Sequence, residues 1–354
     1  MCRTLLRGIE SSGRSRTQEG AAGTVSLPQR SAHHHSADEK PLQRAIDERR
    51  AGARGTGSLG DTLRAYVALT KPRVIELLLV TTAPVMFLAE RGLPNLWLVV
   101  ATLIGGAAAA ASASVFNCIA DRDIDAKMRR TENRPLVTGE ITPRAATIFA
   151  FALGFGSIFW LGGFTNWVAA GLTAVAILLY AVFYTLVLKR RTSQNIVWGG
   201  AAGCMPVLIG WSAVTGSLSW EPLLLFLVVF FWTPPHYWPL AIKYKADYEA
   251  ADVPMLPNKV PPTNVAKQMI WYTVAMLASS FALIAVAPMG PVYIAVAVAA
   301  GGWFLWECIA FIRRAKAGLS GTRLRAMRVF HGSITYLSVL FLAVAIDPFL
   351  NPWV

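Results

Sequence analysis

The sequence predicts an all-α membrane protein, nine apolar helices in a bundle behind a polar tail. Composition is the first reason: 55% of the 354 residues are hydrophobic, only 15% are charged, and mean hydropathy is +0.47. A soluble domain carries about 25% charged residues, so lipid is the solvent that fits. Length is the second reason. A hydrocarbon core of about 30 Å needs about 20 apolar residues per helix. The third is that Lys and Arg fall in alternate connections between the apolar runs.

In chain order, residues 1–60 are rich in Gly, Ser, Ala, Arg and Glu and show no apolar periodicity. They are expected to form a disordered cytoplasmic tail, because they cannot bury enough surface to fold. No apolar run marks a cleaved secretory signal there. His33, His34 and His35 read as part of that polar tract rather than as a metal site. From residue 61 onward one membrane domain is expected, with windows at 74–90, 95–120, 144–164, 166–188, 194–215, 222–242, 264–288, 290–312 and 327–349. The fifth is the weakest, being diluted by Gly, Ala and Ser. Cys2, Cys118, Cys204 and Cys308 show no paired spacing. They read as packing residues, with no disulfide framework or CxxC metal site.

The net charge of +13 could suggest nucleic acid, but its distribution argues otherwise. Lys and Arg lie in the tail, in 122–144, 189–191, 243–267 and 313–328. The connections around 91–94, 163–166, 216–221 and 288–290 are nearly free of them, Arg91 excepted. That alternation is the positive-inside pattern. It predicts a multi-pass protein of the cell membrane, N-terminus cytoplasmic and C-terminus outside, with the bilayer and not nucleic acid as its surroundings.

Two loops on the basic side carry the acids. In "NCIADRDIDAKMRRTENRP" (117–135), Asn117, Asp121 and Asp125 recur every four residues. At about 100° per residue the set drifts only ~80°, so all three project from one helical face. Like charges at this spacing repel, and more so as the dielectric falls at a membrane boundary. A cation between them is expected, and hard oxygen ligands of this kind suit Mg²⁺ completed by substrate phosphates. The competing reading is a solvated loop whose acids pair with Lys127, Arg129 and Arg130. Asp123 points off the shared face and reads as solvated.

The second loop, "YKADYEAADVPMLPNK" (244–259), adds Asp247, Glu249 and Asp252 among Lys243, Lys245 and Lys259. Two such loops could share one cation cluster, with Arg130, Arg134 and a Lys meeting an oligophosphate. That combination suits metal-assisted loss of diphosphate. Between the loops, "FFWTPPHYWPLAI" (230–242) places Pro234-Pro235 at membrane depth, where a broken helix is expected. His236, between Trp232 and Trp238, is either a functional intramembrane residue or a partner for a carbonyl freed at the break. His331 reads as a capping or interfacial residue, with a functional role as the alternative.

These residues resemble the UbiA-type intramembrane prenyltransferases, through the 117–125 spacing running into "MRRTENRPLVTGEI". "LTKPRVIELLLVTT" (69–82), "RTSQNIVWGGAAGCMPVLIGW" (191–211), "WTPPHYWPLAIKYKADYEAADVPMLP" (232–257) and "VFHGSITYLSVLF" (329–341) are similar to the haem-farnesylating branch of that family. The resemblance implies nine helices around a central cavity and a Mg²⁺ cofactor held by Asn117, Asp121, Asp125 and Asp247. It implies diphosphate binding by Lys127, Arg130, Arg134, Lys245 and Lys71, and acceptor binding by His236, Trp232 and His331. Asn195 and Asp252 are further candidates. The implied reaction joins farnesyl diphosphate to a vinyl group of haem b, giving haem O, with a haem A synthase as the downstream partner. The wider family usually places an Asp four residues after Asp247. Ala251 stands there instead, which fits the haem branch and weakens a symmetric two-metal picture. Asp252 is about 140° further round a helix and makes a doubtful ligand. Three other classes compete: a transporter, a non-catalytic haem-binding assembly factor, and prenylation of another acceptor such as a quinone precursor.

Overall fold

The structure, a computed structural model, describes residues 58–287 and 289–350. Among them every regular element is a helix, and nine helices are long and apolar enough to cross a membrane. We number these α1 (Pro72–Glu90), α2 (Leu96–Ala120), α3 (Pro143–Phe164), α4 (Trp167–Leu188), α5 (Asn195–Thr215), α6 (Trp220–Lys243), α7 (Pro262–Val286), α8 (Pro291–Lys316) and α9 (Ala326–Leu350). Each overlies one of the nine windows, because in lipid the backbone must satisfy its own polar groups and an apolar run of this length has only the helix available.

Three features depart from the sequence reading. Residues 59 and 60, assigned to the tail, open a further helix, Leu59–Thr70. Ser58 caps it, and the Asp61 side chain returns a bond to the Ser58 backbone. The rest of the expected tail, with Cys2 and His33 to His35, lies outside the described residues. Pro234 and Pro235 do not break α6, which runs from Trp220 to Lys243 through both and through Pro239. Flanking α5, α7 and α9 hold it, and the Thr233 hydroxyl turns back to donate to the Val229 carbonyl at 2.9 Å. A lipid-embedded helix has no water to take over the broken bonds, so continuity costs less than a break. The third departure is in α4, which changes to a π-helix over its last ten residues, Leu179–Leu188.

The helices form two groups. α2, α3, α4 and α5 pack in succession, and α6, α7, α8 and α9 close a ring of four. α1 lies between the groups against α2, α5 and α9, and α5 packs on α6 to join them. Without a hydrophobic drive between helices in lipid, close approach through small residues carries much of this packing. Gly210 of α5 is such a point: a Cβ there would lie 2.8 Å from the Thr82 carbonyl oxygen of α1, which is backbone and cannot swing aside. Cys118, Cys204 and Cys308 are buried and free, as packing residues should be.

Gly210→Ala should therefore lower the thermal midpoint of the purified protein in detergent, at a cost of ~1–3 kcal/mol for overpacking. Gly106→Ala on α2 meets nothing within 4 Å and should leave the midpoint unchanged. Equal midpoints for the two variants would show that α1 and α5 do not depend on this contact.

Candidate active site

At the charged end of the bundle, α2 continues almost without interruption into the short helix Arg122–Asp125. The Asp121 N–H bonds the Asn117 carbonyl at 2.9 Å and the Asp125 N–H bonds the Asp121 carbonyl at 2.8 Å. The four-residue register therefore holds, and Asn117, Asp121 and Asp125 are all buried. Each meets a cation. The Lys71 ammonium donates to Asn117 Oδ1 at 2.5 Å, Lys189 bonds Asp121 Oδ2, and Arg134 bonds Asp125 Oδ2. Asn117 Nδ2 donates to Asp121 Oδ2 at 2.6 Å and to Thr185 Oγ1 at 3.1 Å, tying the set together.

The π-helix explains how α4 reaches it. The Lys189 N–H bonds the Tyr184 carbonyl at 2.9 Å, and Thr185 Oγ1 donates to the Tyr180 carbonyl at 2.7 Å, both across five residues. Thr185 and Lys189, four apart on α4, thereby face Asn117 and Asp121, four apart on α2. Widened turns of this kind recur at functional sites. Lys71 is placed by a different device: it holds φ 55°, in the left-handed region, at the joint between Leu59–Thr70 and α1. For a residue with a Cβ that conformation carries a cost and marks a position fixed by its surroundings.

The two loops are stitched by an apolar cluster of their own. Ile124 and Met128 pack with Ile196, Ala241, Tyr248, Ala251, Val253 and Met255. Above that cluster the Arg130 N–H donates to Asp247 Oδ2 at 3.3 Å, and the Arg130 guanidinium lies 5.1 Å from the Tyr244 ring centroid. The Tyr237 and Tyr248 hydroxyls bond at 2.8 Å.

Of the expected residues, Asn117, Asp121, Asp125, Lys71 and Arg134 come together, and Asp247 with Arg130 borders them. Lys127 is exposed, and its side chain engages nothing among the described residues. Lys245 pairs with Glu249 at 3.6 Å and, with Lys259, lines a separate recess of about 220 Å³ beside the start of α7. Asp252 is exposed at φ 53°. Asn195 is buried but works as a clamp, its Nδ2 donating to the Thr192 carbonyl at 2.8 Å and the Pro254 carbonyl at 3.5 Å. Trp232 and His236 stack near α9, while His331 is exposed.

Asp123 is exposed, as expected, and it also takes both guanidinium nitrogens of Arg190, at 2.6 and 2.7 Å; these bonds hold its carboxyl below the usual range. The sequence reading treated Lys189 and Arg190 only as topology markers and passed over Thr185. The polar pair Thr185 and Lys189, four residues apart at the end of an apolar run, was the signal available.

Asp121 Oδ1 and Asp125 Oδ1 are buried without a hydrogen-bond partner. Burial pushes the Asp125 carboxyl up, against the pull of Arg134, and pushes the Lys71 ammonium down. Both groups therefore bear a desolvation cost that a divalent cation on one and an anion on the other would relieve. Among the described residues no three His, Cys, Asp or Glu side chains form a metal cage. The donor set of Asn117, Asp121 and Asp125 fits Mg²⁺, which binds through one or two carboxylates plus substrate phosphates.

The UbiA prenyltransferase family pattern matches residues 78–347. The protoheme IX farnesyltransferase of Leifsonia xyli is 60% identical over 288 residues, covering 81% of this chain and 93% of that protein. That of Streptomyces coelicolor is 54% identical over 313 residues, covering 87% and 99%. Among solved structures, a digeranylgeranylglyceryl phosphate synthase superposes with TM-score 0.68 at 16% identity, covering 82% of this chain and 99% of that one. A UbiA homologue from Archaeoglobus fulgidus bound to GPP and Mg²⁺ gives 0.55 at 17%, covering 79% and 99%. At these identities the likeness is one of fold.

Because Met128 is the buried pivot of the loop cluster, Met128→Ala should cost ~2–5 kcal/mol locally. Limited trypsin digestion should then cut faster after Lys127, Arg129 and Arg130, while the nine spans stay protected. An unchanged digestion rate would show that the loops are held elsewhere.

Proposed function

The chain belongs to the UbiA prenyltransferase family, and from that premise we propose that it farnesylates haem b to haem O. The observation that carries this is the pair of buried carboxylate oxygens without a hydrogen bond on Asp121 and Asp125, set among Lys71, Arg134, Lys189 and Arg190. A neutral substrate would need neither the acids nor the cations. An allylic diphosphate with a divalent ion needs both, and its charge grows as the allylic C–O bond breaks. The acceptor rests on the 232–257 segment and on the curated relatives' names.

Asn117, Asp121 and Asp125, with Asp247 bordering, would hold Mg²⁺, which when bound neutralises the leaving diphosphate. The residues themselves do the rest. Lys189 and Arg134 already lie against the acids and Lys71 against Asn117, so they can turn to phosphate oxygens without crossing the site. Arg130 adds a guanidinium backed by Tyr244 and Tyr248. The diphosphate leaves with the C–O electron pair, and the allylic carbon is attacked by a haem vinyl carbon to form the new C–C bond. The cation left on the haem side adds water, and the proton is released. Water must be kept from capturing the farnesyl cation first, which calls for a dry site.

The same reading sets the chain in the cell membrane with the charged loops on the cytoplasmic face and the C-terminus outside. A haem A synthase is the consumer that the product's chemistry calls for.

Membranes containing the protein, given haem b and farnesyl diphosphate, should yield haem O by mass only when Mg²⁺ is present. Asp121→Ala and Asp125→Ala should each lose at least a hundredfold in rate while remaining folded in the membrane. Turnover near wild type in either variant would remove the metal assignment, and no haem O under any condition would remove the acceptor.

A further inference from the structure

His236 lies in α6, seven residues and so roughly 10 Å from its charged end. Its ring is clamped on both faces. Trp232 stacks at 4.1 Å and 15°, and Phe330 of α9 at 4.6 Å and 26°. Its Nδ1 lies 2.8 Å from Ser333 Oγ of α9. It does not bond a carbonyl freed by Pro234 or Pro235, so the kink role considered from the sequence is not the one it fills.

The proton on this imidazole follows from counting hydrogens. Ser333 Oγ also lies 2.6 Å from the Phe330 carbonyl oxygen, and only the hydroxyl hydrogen can bridge that pair. The single hydrogen is therefore spent on Phe330, and the bond to His236 must be donated by Nδ1–H. The other nitrogen, Nε2, then carries a lone pair. It has no partner among the described residues, yet it is not one of the buried atoms lacking one, so it reaches accessible surface. The Ser333 carbonyl is itself fixed, accepting from Trp232 Nε1 at 2.7 Å. Stacking thus sets the plane of the imidazole, and the hydroxyl sets its flip and tautomer.

This is the arrangement of a metal-ligating histidine: one nitrogen donating to an oxygen, the other bare. We propose that His236 Nε2 is the axial ligand of the acceptor's haem iron, and that Ser333 is the positioning residue that holds it in that tautomer. The inference rests on haem being the acceptor. It adds the atom that grips the haem and the residue behind that atom. A macrocycle lies perpendicular to its axial bond, so the edges of Trp232 and Phe330 would form an apolar floor beneath it. Iron held in this way fixes the porphyrin's depth in the membrane. A structural histidine would need the Ser333 bond alone and would leave the accessible Nε2 lone pair without a role.

The test uses the full chain in lipid nanodiscs, with haem b or metal-free protoporphyrin IX added and no farnesyl diphosphate. Wild type should bind both and should show the iron–histidine stretch of ferrous haem in resonance Raman spectra. His236→Phe keeps an aromatic ring in the stack and removes the nitrogen. It should lose the stretch and at least tenfold in haem affinity, with protoporphyrin binding unchanged. In His236→Gly, added imidazole should restore the stretch. Ser333→Ala should shift the stretch and weaken haem binding about 10–100-fold, as loss of an outer partner does, and Ser333→Thr should restore both. A His236→Phe protein with the stretch intact, or a Ser333→Ala protein spectrally identical to wild type, would overturn the proposal. Wild type that binds both porphyrins without a nitrogen ligand would overturn this inference alone. Wild type that binds neither would overturn the acceptor reading beneath it.

Discussion

Two buried carboxylates at a membrane boundary cannot stand without cations, and the charged end of this molecule is arranged around that constraint. Asp121 and Asp125 sit one helical turn apart in a region where Coulomb repulsion is weakly screened. Lys189 reaches Asp121 from α4, Arg134 reaches Asp125 from the loop, and Lys71 reaches Asn117 from the joint ahead of α1. Three separate segments are thus committed to one face of α2. Removing one partner of a buried pair costs about 3–5 kcal/mol, because the charge left behind has no water to turn to. The same requirement makes the site receptive. Lys71, Lys189 and Arg134 have the charge to meet a phosphate, and Asp121 and Asp125 each keep one oxygen free of hydrogen bonds.

Two departures from regular backbone lie here. The π-helical end of α4 widens the turn so that Thr185 and Lys189 come into line with Asn117 and Asp121. Lys71 is held at positive φ. The loops bear their own small core, with Met128 and Tyr248 fully enclosed, where surface connections normally stay solvated. Such devices cost stability locally and persist where surrounding packing determines them.

The fold was legible because lipid leaves a chain few options: length and hydropathy alone located all nine spans. The face carrying Asn117, Asp121 and Asp125 was legible because the helix runs on past Ala120 with its period kept. What stayed hidden was whatever depends on distant segments meeting. Arg190 crosses to Asp123 from 67 residues away, and no local rule announces it. The π-helix gave no warning, since residues 179–188 read as one more apolar stretch. Pro234-Pro235 misled as well. A broken helix was expected at membrane depth, but the helix runs through both prolines, packed between α5, α7 and α9. Lys245 and Asp252 looked like site residues because they are near Asp247 in sequence, but their side chains lead to Glu249 and to solvent.

α6 brings these threads together, since it carries both chemistries along one rod. Its charged end leads into Asp247 and Tyr248, which meet the first loop through Arg130. Deeper in the membrane it carries the stacked pair Trp232 and His236, which meets α9 through Phe330 and Ser333. A polar diphosphate and a flat apolar acceptor have opposite solvation needs, and a reaction between them must satisfy both within one cavity. Stacking the two demands along a single uninterrupted helix meets that need, because a rigid rise of about 1.5 Å per residue fixes the distance between them. A helix broken at Pro234-Pro235 would place a hinge between donor and acceptor. On the proposed assignment of Asp247 and His236, the continuity of α6 would hold the carbon that leaves diphosphate and the carbon that receives it in one frame.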